Sequence, residues 1–439
     1  MKKQQKILQE KAENMYRCGE YRKAEKICHQ ILKDDSNSLE ALTILGNISF
    51  LLHDYEQAIK YYQRIETISP QYIINLLNLS NVYFEQNNFT DSQKYAHLAL
   101  EQNPQDITGL SLLGNSLFAQ EQYDSALQVF LHLLEQKPKD CWTLNSLSQI
   151  HQKQGDYEQA FNCAFSAVEN SCGDDAQQLN LGYLLYETAL EKGYDFIKNK
   201  VELWKQKYGE LAQVSYMINA LENNQYIEVA DSSYLQNVFD NFASGFEQVL
   251  SGLDYSAPQH IEEYMQEFYS NIGWKKLHIL DAGCGTGLCG LFLKKYASWR
   301  GLDGVDISLG MLAEAKKKKI YSKLFQQELC SFLTSTKKHY DLIVASDVLT
   351  YFGNLENVIL GFSNTLKKQG RIIFTITQNS YNDSSWYLHS SGRFAHNIVY
   401  VEELLQKHGF YVEKSQFRQL RLENNNPVMG YIISAKKSS

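Results

Sequence analysis

The chain has 439 residues, 44% hydrophobic and 21% charged, which is enough for two or three domains with their own cores. Its 42 Lys and Arg against 50 Asp and Glu leave a net charge of −8, which speaks against a surface for nucleic acid, because phosphate contacts need clustered cations. No apolar stretch approaches the ~20 residues of a membrane span, no apolar segment follows the charged start, and the eight cysteines form no C-x-x-C pair. A cytoplasmic chain with free thiols, no metal site and no membrane contact is expected.

Internal repeats organise the first half. Small residues recur at Ala24, Ala58, Ser92, Ala126 and Ala160, each 34 positions apart, with aromatics three places earlier at Tyr21, Tyr55, Phe89, Tyr123 and Tyr157. A second small ladder runs through Ala12, Gly46, Ser80, Gly114 and Ser148, and Pro70, Pro104 and Pro138 share the 34-residue period. Small residues let facing helices approach closely, and proline ends a helix that it cannot continue. Four ladders in one register over residues 1–172 resemble an array of five tetratricopeptide (TPR) repeats. That resemblance implies an α-solenoid whose groove binds a protein or peptide partner and carries no chemistry. His151 reads as a packed or surface histidine. Residues 173–230 break the period and read as a degenerate repeat, beginning near Leu179, followed by capping helices.

Residues 231–270 form an aromatic connector. Val238, Phe239, Phe242, Phe246 and Leu250 stand at i, i+3/i+4 spacing, which predicts a helix with one apolar face.

A short apolar run, Leu277 to Leu280, then reads as a buried strand ending at Asp281, and glycines follow at 283, 285 and 287 before an apolar helical pattern from Leu288. A strand, a glycine turn and a helix form the ligand end of a doubly wound sheet. The order D-x-G-x-G-x-G departs from the dinucleotide fingerprint, whose third glycine would fall at Leu288. It resembles the cofactor loop of class I S-adenosylmethionine (SAM) dependent methyltransferases. Arg300 to Asp306 predicts a second strand, Leu324 to Gln327 a third, Tyr340 to Leu349 a fourth and Gly370 to Thr377 a fifth, with helical patterns between them. A helix over Glu402–His408 and strands over Phe410–Phe417 and Val428–Ser434 complete the pattern. The run Lys316–Lys319 reads as a solvated helix face.

Acids at the tips of successive strands extend the resemblance over residues 271–439 and imply a Rossmann-like domain with a mostly parallel seven-stranded sheet and SAM as cofactor. By that resemblance Asp281, Gly283, Cys284, Gly285, Thr286 and Gly287 surround the methionine part. Asp306 holds the ribose, Ile307 and Met311 flank the adenine, Glu328 and Leu329 meet its edge, and Asp347 and Val348 lie near the sulfur. The connector is similar to a helix that closes over the cofactor in small members of the group, which makes Phe239, Asp240 and Phe242 lid candidates.

Methyl transfer needs alignment and a water-poor pocket more than any single residue, so the catalytic candidates, Asp347, Tyr351 and His396, follow from position. Arg393, Phe394 and His396 sit where an acidic acceptor would arrive. Asp347 is followed by Val-Leu rather than the Pro-Pro-aromatic run of DNA amino-methylating enzymes, which again argues against a nucleic-acid acceptor. Two readings stand. In one, the chain methylates a small molecule or a protein recruited by the array. In the other, it is a TPR scaffold whose sheet domain binds the cofactor without catalysis.

Overall fold

The computed structural model describes residues 2–270, 276–379, 384–423 and 426–438. It divides into two compact units, residues 1–173 and 174–439.

The first unit is a stack of paired helices: α1 (Lys2–Arg17) with α2 (Tyr21–Asp34), α3 (Leu39–Leu51) with α4 (Tyr55–Ile68), α5 (Ile73–Glu85) with α6 (Phe89–Gln102), α7 (Ile107–Ala119) with α8 (Tyr123–Gln136), and α9 (Cys141–Lys153) with α10 (Tyr157–Asn170). The small ladders lie where helices touch. A Cβ on Gly46 would sit 2.3 Å from the Tyr62 ring, and one on Gly114 would sit 2.7 Å from Phe130. The serines that replace Ala or Gly are paired rather than stranded: Ser80 Oγ donates to the Ser92 carbonyl (2.9 Å), and the Ser92 and Ser116 hydroxyls are 2.8 Å apart. Within each pair one residue turns the chain in the left-handed region: Gly19, His53, Asn87, Glu121 and Gly155, at φ of 59–78°. Asp54, Asn88, Asp106, Asp140 and Asp156 then cap the helices that follow.

The second unit opens with α11 (Asp175–Lys192), α12 (Tyr194–Tyr208) and α13 (Ala212–Leu221). The stretch expected as a degenerate repeat and caps therefore belongs to this unit. The connector is three helices, α14 (Ser232–Phe242), α15 (Phe246–Gly252) and α16 (Ala257–Tyr269). The expected boundary at 270/271 abuts residues 271–275, which lie outside the described residues.

Alternation of strand and helix then builds a three-layer α/β domain: β1 (Leu277–Ala282), α17 (Leu288–Leu293), β2 (Ala297–Asp306), α18 (Leu309–Lys317), β3 (Lys323–Gln326), α19 (Leu329–Ser335), β4 (Tyr340–Ala345), α20 (Glu356–Thr365) and β5 (Leu366–Thr377). A hairpin of β6 (Trp386–Leu388) and β7 (Phe394–His396) precedes α21 (Ile398–Lys407), β8 (Phe410–Glu423) and β9 (Asn426–Lys437). The seven-stranded sheet has the order β3-β2-β1-β4-β5-β9-β8, and only β9 runs antiparallel, between β5 and β8. The carboxyl ends of β1, β2, β4, β5 and β8 thus share one edge. Buried side chains of α19, α20 and α21 pack on one face of the sheet and those of α16 and α17 on the other.

Two expectations change. The fourth strand stops at Ala345 rather than running to Leu349, because Asp347 takes φ of +54° and Leu349–Tyr351 winds into a 3-10 turn. Phe394 and His396, expected where an acceptor would arrive, form a strand of the hairpin.

Candidate active site

The sheet's carboxyl edge opens into a cavity of about 550 Å³. Its floor is the glycine turn. Gly283 stands at φ of +66°, and a Cβ there would lie 1.8 Å from Val348 Cγ2, so only glycine fits between strand and neighbour. The Gly283 and Cys284 amides donate to the Val305 carbonyl (2.9 and 3.0 Å), which ties the turn to β2. Gly287, at φ of +91°, ends the turn and starts α17. It does not line the cavity, so the expected contact role for Gly287 gives way to a structural one.

Two carboxylates flank the turn. Asp281 is 1% exposed and accepts from the Tyr321 hydroxyl at 2.6 Å. Burial, only partly offset by that bond, pushes its carboxyl up to about 7. Asp306 accepts from the Gly285 amide (2.8 Å) and, on its other oxygen, from the Ser308 amide (3.0 Å), and burial raises its carboxyl too. Burial likewise pushes the Cys284 thiol well up, leaving it an inert small side chain. Thr286, Ile307, Met311 and Leu329 line the same cavity. Glu328 does as well, and its two oxygens cap α19 by accepting from Cys330 and Ser331 (2.8 and 2.7 Å).

The far wall carries Asp347, Tyr351 and Arg393, together with an element that sequence reasoning missed. Arg421, near the end of β8, donates from Nη1 to Asp347 Oδ1 at 2.9 Å. Its side chain is 3% exposed. The available signal was a charge repeated inside an alternating strand, Arg418-Gln-Leu-Arg-Leu-Glu423. Tyr255 is a second omission. It lines the cavity, and its hydroxyl lies 3.1 Å from Ser346 Oγ. Tyr321 is a third, supporting the turn from behind through Asp281.

The roof is the connector. Phe239 lines the cavity with its ring edge-on to Tyr351, their centroids 5.5 Å apart. Asp240 does not line it. Its Oδ1 accepts from Ser308 Oγ (2.5 Å) and the Gly310 amide (2.9 Å), pinning α14 to α18. Phe242 points away: it is 44% exposed and lies edge-on to Tyr183.

Two hairpin residues also stand away from their expected place. His396 is fully buried outside the cavity, with Nε2 2.6 Å from the Phe352 carbonyl. Burial lowers its ring to about 4, so it is neutral, and it fastens β7 to the 3-10 turn instead of reaching a substrate. Phe394 is also fully buried, packed against Gly353. Lys318, from the run read as a solvated face, instead pairs with Glu247 of α15 (2.5 Å).

A buried glycine turn with no room for side chains, bounded by two carboxylates at the tips of adjacent strands, fits an adenosyl amino acid. A methyltransferase domain model matches residues 256–420, and tetratricopeptide repeat models match 11–73 and 50–115. Over 226 residues the chain is 26% identical to a malonyl-[acyl-carrier protein] O-methyltransferase of Priestia megaterium, covering 46% of this chain and 79% of that one. It is 30% identical over 131 residues to the Brevibacillus brevis protein of the same name, covering 28% of this chain and 44% of that one. To a ubiquinone biosynthesis O-methyltransferase of Coxiella burnetii it is 28% identical, covering 24% of this chain and 46% of the other. The chain thus spans less than half the length of the latter two. Magnesium protoporphyrin IX methyltransferase from Synechocystis PCC 6803, solved with bound S-adenosylhomocysteine (SAH), is 17% identical, with a TM-score of 0.37, covering 47% of this chain and 99% of that one. MamA from Desulfovibrio magneticus RS-1 is 16% identical, with a TM-score of 0.37, covering 39% of this chain and 97% of that one. The chain carries tetratricopeptide repeats followed by a methyltransferase domain of the SAM-dependent kind.

Proposed function

We propose that residues 174–439 transfer a methyl group from SAM to an acceptor oxygen presented at the Arg393 side of the cavity. The observation that carries this is the turn from Gly283 to Thr286, held between buried Asp281 and half-buried Asp306 at one end of a cavity roofed by Phe239. When bound, SAM supplies an electrophilic methyl group. The chain's own residues bind and align. Backbone of Gly283 to Thr286 and the Asp281 carboxyl take the amino-acid part. Asp306, with one lone pair on each oxygen left over from its backbone bonds, accepts from the ribose hydroxyls. Ile307 and Met311 flank the adenine, and Glu328 with Leu329 meets its edge. Asp347, held by Arg421, and Val348 stand at the acceptor end, where Tyr351 and Arg393 orient the acceptor and Phe239 excludes water.

The names of the curated relatives support an oxygen acceptor. The acceptor is a small molecule or a protein, and the repeat unit recruits the partner. Thermal unfolding of the full chain with and without SAH tests the reading. Ligand at 100 times its dissociation constant adds about 2.7 kcal/mol. For a unit of this size that is a shift of roughly 5–10 °C. Asp306→Ala removes the shift, and NAD produces none. A folded protein that ignores SAH, or answers NAD equally, sinks the proposal and leaves the scaffold reading.

A further inference from the structure

Resting on that reading, we propose that Tyr321 is a positioning residue for SAM: its hydroxyl holds one oxygen of Asp281 and leaves the other for the ammonium of the amino-acid part. Tyr321 stands between α18 and β3 and does not line the cavity. Its hydroxyl donates to Asp281 Oδ2 at 2.6 Å, and among the described residues no other donor reaches that carboxyl. Asp281 is 1% exposed yet lines the cavity, so Oδ1 is the atom left for a ligand.

Three glycines make room for this one side chain. A Cβ on Gly287 would lie 3.0 Å from the ring, and one on Gly304 would lie 3.1 Å from it. A Cβ on Gly290 would lie 2.3 Å from the hydroxyl oxygen and 2.6 Å from Cζ. Gly287 also serves its left-handed backbone, at φ of +91°, but the other two have no such need. Gly290 lies inside α17 and Gly304 inside β2, where glycine weakens a helix or a strand. A smaller apolar side chain would fill this space without three glycines. What they secure is the reach of the hydroxyl to Asp281.

The groups that face Asp281 set what it accepts. They are Tyr321, Asp306 on β2, Cys284 in the turn and Cys289 on α17, and none of these is a cation. A buried carboxylate without a cation is unfavourable, so burial pushes Asp281 up to about 7 in the ligand-free protein. Asp281 releases its proton to solvent on accepting from the ammonium, which links binding of the amino-acid part to one proton. The Tyr321 hydroxyl favours the ionised form by donating to it. Its own proton stays in place, because burial and the neighbouring Asp281 push the phenol well above its ordinary value. Tyr321 thus lowers the pH at which Asp281 becomes available and fixes the direction of its free oxygen.

Two probes separate positioning from packing. SAH carries the amino-acid part, and 5′-methylthioadenosine keeps adenine, ribose and sulfur without it. Both are titrated calorimetrically into the full chain between about pH 5.5 and about pH 8. In the parent the affinity ratio of SAH to methylthioadenosine rises with pH and levels off above about 7. Asp306 takes the ribose of both probes and cancels in that ratio. Tyr321→Phe keeps the ring and removes the hydroxyl. It lowers the ratio about tenfold at about pH 6.5 and moves the rise to higher pH, while methylthioadenosine affinity stays within a factor of about two. Asp281→Asn lowers the ratio and removes its pH dependence, and adding Tyr321→Phe then changes it less than about twofold. A ratio in the parent that ignores pH, equal weakening of both probes by Tyr321→Phe, or an unmoved ratio overturns the proposal while SAH still binds. Absence of SAH binding in the parent overturns the methyltransferase reading beneath it, so the two failures are distinct.

Discussion

Val348 leaves no room for a side chain at Gly283. Alanine at 283 would place its Cβ 1.8 Å from Val348 Cγ2 on a backbone already at φ of +66°. Overpacking and the left-handed backbone together should cost about 2–4 kcal/mol, measurable by chemical denaturation of the full chain. Adding Val348→Ala should return the overpacking part and leave the backbone part, about 1–2 kcal/mol. A Gly283→Ala chain as stable as the parent would show that the turn is not so constrained. Asp281 makes a different prediction. Its folded carboxyl is pushed up to about 7, so between about 4, the unfolded value, and 7 the folded state holds a proton that the unfolded chain has lost. Stability contributed at this site is therefore largest at low pH and falls as pH rises through that window, by roughly 4 kcal/mol at most. Asp306, raised by the same burial, adds a slope of the same sign. Asp281→Asn should flatten part of the decline between pH 5 and 8, and an unchanged slope would remove Asp281 as its source.

At the scale of elements, the connector shows what periodicity reveals and what it hides. The apolar stripe marked a helical, cavity-facing segment, and Phe239, Phe246 and Leu250 do line the cavity. The stripe assumed one continuous helix. The chain instead breaks at 243–245, between α14 and α15, which shifts the helical phase and turns Phe242 outward. Spacing alone carries no signal for such a break, because Ala-Ser-Gly fits both a turn and a helix end. Asp240 shows the converse: its position suggested a lid residue, but its work is to fasten the lid. The Ser308 hydroxyl that donates to Asp240 also accepts from the Met311 amide and so caps α18, making latch and cap one group. Asp240→Ala should leave α18 capped and free α14. Amide exchange over residues 232–252 should quicken, and SAH affinity should fall several-fold with little change in the melting of SAH-free protein. Unchanged exchange over that segment would mean that Asp240 does not hold the roof.

At the scale of the whole molecule, the repeats were legible because a 34-residue period writes the same packing problem five times. The glycine turn and the strand tips were legible because close backbone approach and buried acids restrict residue type. Residues 174–230 were not. Their ties to the α/β domain are single long-range bonds with no period. The Tyr216 hydroxyl donates to the Gly392 carbonyl (2.7 Å), the Trp386 indole donates to Ile227 (3.2 Å), and the Glu228 carbonyl accepts from Gly353 and Asn354 (2.8 and 2.9 Å). The Ala230 amide donates to Tyr351 (2.9 Å), the residue that faces Phe239 across the cavity. A segment that reads as the end of a repeat array therefore shapes the far wall of the cavity, and Tyr186, on α11, is tied to that wall through Glu423. Truncation tests this directly. A chain of residues 174–439 should melt cooperatively and shift with SAH like the full protein. A chain of residues 231–439 would leave the hairpin and the 3-10 turn without those partners and expose apolar surface of the connector, so its melting should be lower and broader, and the SAH shift reduced or lost. Circular dichroism melts of both truncations decide it. If the shorter chain matches the longer in midpoint and SAH response, residues 174–230 are an appendage, and the far wall of the cavity stands without them.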